Sequence, residues 1–218
     1  AIYAHDAYSD DSLYLARGKP HSMPENKFWE PAAPKELLDL IGNYSENPDD
    51  RAQFRRVIRY LKRWKDIKFS PNGRAAPIGI GLTVAAYYWF EPKVSPIDAF
   101  QNKYRYDDLL ALSTFVDAMI GKFSTTCHEG ESAQRLKVRL PVRPNNDLFE
   151  KMTNKQMQAF YTRLSILQSV LHNVIEETDP VEACSQLQKQ FGEDLVIPDI
   201  NETGQKRMRA IVSSSTST

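Results

Sequence analysis

Cysteine and histidine are scarce in this chain of 218 residues: two of the first, Cys127 and Cys184, and four of the second. Two unclustered thiols give no disulfide framework and suit a reducing compartment. Cys127-His128 is the only adjacent Cys/His pair, whereas a structural zinc site needs four ligands in paired spacing. A loop thiol beside a solvated imidazole accounts for it. His5, His21 and His172 stand alone, with no nucleophile in view for a catalytic imidazole to serve. Also lacking are G-x-S-x-G, the Walker A run, G-x-G-x-x-G and H-E-x-x-H, so hydrolase, P-loop and Rossmann readings lose their main support. No apolar run approaches the roughly 20 residues that span a bilayer. Nor is there an excess of charge: Lys+Arg 28 against Asp+Glu 28 leaves a formal net charge of zero. That excludes a generally basic nucleic-acid binder and a generally acidic disordered chain. The carboxylate pairs Asp10-Asp11, Asp49-Asp50 and Asp107-Asp108 are adjacent, so their side chains diverge and make no magnesium site. The start, AIYAHDAYSDD, carries neither an initiator Met nor a basic-then-apolar signal pattern. The expectation is a chain that begins inside a longer protein.

What is there is mostly helical. AIYAHDAY alternates enough for a short strand, and the stretch from there to Pro34 is expected to be irregular. Pro34 suits the first turn of a helix over Lys35–Ile41, closed by Gly42-Asn43. Pro48-Asp49-Asp50 then starts the clearest helix, RAQFRRVIRYLKRWKDIKF, in which Phe54, Val57, Ile58, Leu61, Trp64 and Ile67 (or the stem of Lys68) keep helical spacing. Pro71-Asn72-Gly73 ends it. A helix from about Pro77 to Phe90 is apolar nearly all round and should be central and buried. YDDLLALSTFVDAMIGKF is a further amphipathic helix, closed near Gly121. RLKVRLPV, ending at Val142, alternates basic and apolar residues like a strand or extended arm, and Arg143 to Asp147 is a turn. Thr153 caps a long helix, and Asp179-Pro180 begins a last one that Gly192 ends.

The strongest chemical signal is a basic stripe. Arg55, Arg59 and Lys62 stand at i, i+4 and i+7, widened by Arg51, Arg56, Arg63, Lys65 and Lys68. Such a stripe repels itself unless water, carboxylates or phosphates face it. It fits a phosphate-binding wall, and it also fits an ordinary solvated face. Gly79-Ile80-Gly81 costs helix propensity, which suits close approach of a backbone or ligand and equally suits tight packing. Tyr87-Tyr88-Trp89 could stack a base or sit in the core. Arg135, Lys137, Arg139 and Arg143 form a second basic row expected to face solvent. Asn145-Asn146-Asp147 needs no more than turn chemistry.

The segments RRVIRYLKRWKD and APIGIGLTVAAYYWF, followed by LPVRPNNDLFEKMTNKQMQAFYTRLSILQSVLHNVIEE and EACSQLQKQFGEDLVIP, resemble the oligoadenylate-synthetase and cyclic GMP–AMP-synthase superfamily. The resemblance is to its bacterial members, the CD-NTases of CBASS antiphage defence, and covers roughly residues 1 to 198. It rests on the pairing of L-K-x-W with the later L-P-V-x-P-x-N-D. It implies a two-lobed, polymerase-β-like nucleotidyltransferase that joins nucleoside triphosphates, ATP among them, into a cyclic di- or trinucleotide second messenger. It also implies a bacterial cytoplasmic enzyme that uses Mg2+ and does not sense DNA. The family's G-S and D-x-D motifs are absent from this chain. The expectation is therefore a mainly α chain: a strand-like remnant of the catalytic lobe over residues 1–33, a helical nucleotide-positioning lobe over 34–197, and a flexible tail over 198–218. Mg2+ would be held by the missing N-terminal lobe, with no catalytic or metal residue here.

By resemblance, Lys62 matches a lysine that contacts nucleotide phosphates, with Lys65 a weaker neighbour. Ile78 and Gly79 fall where relatives place a Ser or aromatic residue beside a base, and Asn146 and Asp147 match a polar turn near the cleft. A second reading is a non-catalytic helical interaction protein. Its tail, ETGQKRMRAIVSSSTST, would dock to a ubiquitin-ligase-like conjugation enzyme.

Overall fold

Asn47-Pro48-Asp49-Asp50 is a helix start by chemistry. The Asn47 side-chain oxygen accepts from the Asp49 amide at 2.9 Å, Pro48 needs no amide partner in the first turn, and two carboxylates face the positive end of the helix dipole. A computed structural model describes residues 3–5, 13–18, 21–70, 75–98, 103–128 and 130–199. In chain order the elements are β1 (Tyr3–His5), β2 (Leu13–Arg17), a 3-10 turn (Pro24–Asn26), β3 (Phe28–Ala32), α1 (Pro34–Gly42), α2 (Pro48–Lys68), α3 (Gly79–Trp89), β4 (Val94–Asp98), β5 (Lys103–Tyr106), α4 (Asp108–Gly121), β6 (Ser124–His128), β7 (Glu131–Arg135), α5 (Asn154–Glu176) and α6 (Pro180–Phe191).

The helices form as their local signals predict. Asp107 caps α4 through the Leu110 amide at 2.9 Å, Thr153 and Gln156 close a capping box on α5, and Gly192 ends α6 at φ 93°. The apolar stripe of α2, Phe54, Val57, Ile58, Leu61 and Trp64, is buried against α3, α4 and α6. Ile67 departs from the expected stripe: it is 40% exposed and lies against Gly192, where any side chain would collide with it. Phe69, just past the helix end, is buried instead and meets Trp64 edge to face. The burial expected of α3 holds from Gly81 to Ala86, whereas Tyr88 is exposed and Tyr87 and Trp89 pack half-buried on the core.

One expectation needs correction, two hairpins were not anticipated, and one open choice is decided. The stretch before Pro34 is not irregular but an antiparallel meander, β1 with β2 and β2 with β3. The chain also forms two hairpins, β4–β5 and β6–β7; the second is built of polar runs, STTCH and ESAQR, that lack an apolar alternation to betray them. Of the two forms expected of the alternating segment that ends at Val142, it is no regular strand, which leaves the extended arm. Its only ladder contact is one bridge, Arg139 to Asp147. Its alternation arises because Leu136, Val138 and Val142 enter the core while Lys137 and Arg139 face out. The helix end expected at Pro71–Gly73 and all but the first two residues of the tail expected over 198–218 lie outside the described residues. Among the described residues no helix is long and apolar enough to cross a membrane.

Arg56 ties α2 to α4, its Nε 2.6 Å from Asp108 Oδ2 and its Nη2 2.9 Å from Oδ1. Burial, the largest single influence, would push the Asp108 carboxyl up, but the bonds and charge of Arg56, with bonds from Gln53 and Tyr60, together hold the group below the usual aspartate value. The stability it contributes is therefore complete above the ordinary pKa of about 3.9 and is lost as pH falls through the lower folded value. Asp108→Asn should cost about 1–2 kcal/mol at neutral pH and flatten the acid dependence. Denaturant unfolding at pH 7 and pH 3 measures both, and equal pH slopes in the two proteins would contradict the assignment.

Candidate functional site

Helix α2 carries eight cationic side chains, and the fold commits five of them. Arg51 donates to the Ser45 carbonyl at 2.6 Å and the Glu46 carbonyl at 2.9 Å. Arg56 holds Asp108. Arg63 donates to the Phe191 carbonyl at 2.9 Å and pairs with Asp194. Lys65 pairs with Asp66 at 2.9 Å, and Lys68 donates to the Lys189 carbonyl at 2.6 Å. Arg55, Arg59 and Lys62 have no hydrogen-bond or ion-pair partner among the described residues. They are the i, i+4, i+7 stripe. The structure thus divides a broad basic face into cations that hold the fold and cations that face outward unneutralised.

Lys62 lies against the start of α3. A Cβ built on Gly79 would sit 3.6 Å from Lys62 Cε. Ile78, at the helix cap, offers no side-chain oxygen, so the first amides of α3 have no side-chain acceptor. An ammonium beside the positive end of a helix is an arrangement that favours an anion. Burial first, and then neighbouring Lys65, holds the Lys62 ammonium below the usual lysine value, with Asp66 pulling the other way.

On the other flank of the same helix start, Ile78 and Ile80 line a cleft of about 390 Å³ together with Leu15, Leu37, Leu140, Leu148, Asn146 and Asp147. Its walls also carry Arg17, Arg143 and Lys151. Of the residues singled out by sequence, Ile78, Asn146 and Asp147 therefore meet in one cleft, and Gly79 separates it from Lys62. Lys65 joins neither group, being held by Asp66. Arg17 and Lys151 were not visible as cleft residues, because the lining comes from four distant segments and no single spacing links them.

The turn that carries Asn146 and Asp147 is braced from several sides. The Arg143-Pro144 peptide is cis, and Asn145 has φ 60°, a left-handed conformation that Asn tolerates. Asp147 Oδ1 accepts from the Val138 amide at 3.1 Å and the Phe149 amide at 3.0 Å. Arg135 is not the solvent-facing residue expected: it is 6% exposed and donates to the Phe149 carbonyl at 3.1 Å and to Asn154 Oδ1 at 3.0 Å. Lys137, Arg139 and Arg143 do remain exposed. Gly81 explains the expected close approach, since a Cβ there would lie 2.5 Å from the buried Phe149 ring. Gly79 has room for a methyl.

Among the described residues no three His, Cys, Asp or Glu side chains cluster to hold a metal ion. These residues do not fit a magnesium site.

The fold is that of the bacterial cyclic GMP–AMP-synthase- and DncV-like nucleotidyltransferases, represented here by a mainly α part with a short antiparallel sheet at its start. Among curated proteins, the chain is 29% identical over 80 residues to a cyclic GMP–AMP synthase of Escherichia albertii, covering 36% of this chain and 18% of that protein. Among solved structures it is similar to the Vibrio cholerae di-nucleotide cyclase DncV in complex with GTP and 5MTHFGLU2, with a TM-score of 0.56, 18% identity, and 87% of this chain but 43% of that one covered. The 3′-deoxy GTP bound form of Escherichia coli DncV gives 0.57, 15% identity, and coverage of 88% and 45%. V. cholerae DncV with the linear intermediate pppA(3′,5′)pG gives 0.54 at 17% identity, with 85% and 43% covered. The chain thus spans less than half the length of these relatives. No family model matches it.

Proposed function

We propose that this chain is the nucleotide-positioning part of a bacterial synthase that joins nucleoside triphosphates, ATP and GTP foremost, into a cyclic oligonucleotide signal for antiphage defence. One observation carries the reading: Lys62, left without a partner among the described residues, stands at the uncapped start of α3, beside the cleft where Ile78, Asn146 and Asp147 meet. In this reading the α3 amides and Lys62, which lies beside Gly79, take the phosphates, and the cleft takes the base between Ile78 and the Asn146–Asp147 turn. Residues 34–197 act as this lobe, and residues 1–33 continue into the catalytic lobe. The chain's share of catalysis is orientation, which can supply a large part of a barrier by paying entropy before reaction. Metal activation belongs to acidic residues that the family carries elsewhere and this chain does not supply.

The test is product analysis. The protein carrying this chain, incubated with Mg2+, ATP and GTP, should release a product that resists phosphatase, as a ring without a free phosphate end does. Only linear or phosphatase-sensitive products would overturn the reading.

A further inference from the structure

We propose that α1, α2 and α3 frame a second phosphate site, distinct from the cleft beside Asn146, that takes a nucleoside phosphate with its phosphate on Arg55 and Arg59. The two arginines line an open groove of about 590 Å³ with Ile41, Ala52, Ile58 and Thr83. None of these residues lines the cleft that holds Ile78 and Asn146. Every other arginine of α2 is satisfied by a carbonyl or carboxylate, including Arg56, which also borders the groove but is neutralised by Asp108. Among the described residues no Asp or Glu lines the groove. Among the described residues, two guanidiniums without a partner therefore stand over it.

Their spacing selects the ligand. Four residues of helix place the arginines about 6 Å apart along the axis, on one face, so both forks can close on one compact polyanionic group. Separate carboxylates strung along a peptide would use such a pair poorly. Guanidinium also matches phosphate geometry better than ammonium does, and these positions hold Arg while the α3 start has Lys. Beneath the rim the floor is apolar, Ile41, Ala52 and Ile58, with the Thr83 hydroxyl already donating to the Gly79 carbonyl at 3.0 Å. Inorganic phosphate would leave that floor uncovered, whereas a planar base or sugar would cover it. Thr83 lies one turn beyond Gly79 on α3, so the groove adjoins the Lys62 end without overlapping it. The site goes beyond the nucleotide reading of Lys62 and stands on different residues.

The test is calorimetric titration of ATP, and separately of tripolyphosphate, into the 218-residue chain without divalent metal. The chain should bind two ATP. Arg55→Ala/Arg59→Ala should weaken one of the two sites at least tenfold with an unchanged melting temperature, because both side chains are exposed. Arg55→Lys/Arg59→Lys should keep part of that affinity, and Lys62→Ala should remove the other site alone. Binding unaltered in the double alanine variant overturns the second site, whatever Lys62→Ala does. Loss in the double variant with no effect of Lys62→Ala upholds the second site and counts against the Lys62 reading. Tripolyphosphate binding there as tightly as ATP overturns the nucleoside part, and no ATP binding at all overturns both.

Discussion

Under the proposed nucleotide-positioning role, Lys62→Ala in the protein carrying this chain is expected to lower kcat/KM for nucleoside triphosphates by about a hundredfold, the scale of a lost charge-assisted hydrogen bond to phosphate. The melting temperature should not change. The buried stripe of α2 is Phe54, Val57, Ile58, Leu61 and Trp64, and Lys62 contributes no partner to it. Removing the side chain relieves its cost of partial burial and its repulsion with Lys65, which offsets the lost attraction to Asp66. Lys62→Arg should recover only part of the activity: it restores charge, but a planar, forked guanidinium replaces a compact ammonium beside Gly79. Steady-state kinetics with ATP and GTP, beside thermal melts, separate the two effects. Full turnover by Lys62→Ala would sink the phosphate assignment.

Gly81→Ala should be the most damaging small substitution in the fold. The added methyl would lie 2.5 and 2.6 Å from two ring carbons of Phe149, and that ring is fully buried. Overpacking of this kind costs roughly 1–3 kcal/mol. The ring cannot yield without moving its backbone, because the Phe149 amide is held by Asp147 Oδ1 at 3.0 Å and its carbonyl by Arg135 at 3.1 Å. The displacement should therefore reach the Asn146–Asp147 turn and raise KM for the nucleotide along with lowering stability. Phe149→Leu in the same chain should restore part of both by making room. A double-mutant cycle on melting temperature and KM tests the coupling; strictly additive effects would show that Gly81 and Phe149 do not act through one contact.

Helical elements were legible in the sequence because their ends carry chemistry. Asn47, Asp107, Thr153 and Asp179 each cap a helix by a side-chain bond, and Gly192 stops one by its positive φ. Apart from β1, which falls in the AIYAHDAY segment expected to be a strand, strands were not legible. β6 and β7 are polar on both faces and held by their ladder, while the best alternating segment has its pattern from burial beneath α5 and the turn instead. Lys62 could be singled out by its place in the stripe. Which cations of the stripe stay unpaired could not be read, since that depends on Asp108, Asp194 and the Lys189 carbonyl reaching Arg56, Arg63 and Lys68 from outside α2. Arg135 was misjudged for a related reason: a guanidinium can be buried when carbonyls and an Asn satisfy it, and those partners lie 14 to 19 residues away.

The central claim is that nucleotide phosphate meets this chain at Lys62 and the start of α3. Amide NMR of the isotopically labelled chain, titrated with ATP, tests it most directly. Early shifts at Lys62, Gly79, Ile80 and Asn146, lost together in Lys62→Ala, are the predicted result. Shifts confined to α5 and α6, or none at millimolar ATP, would contradict it.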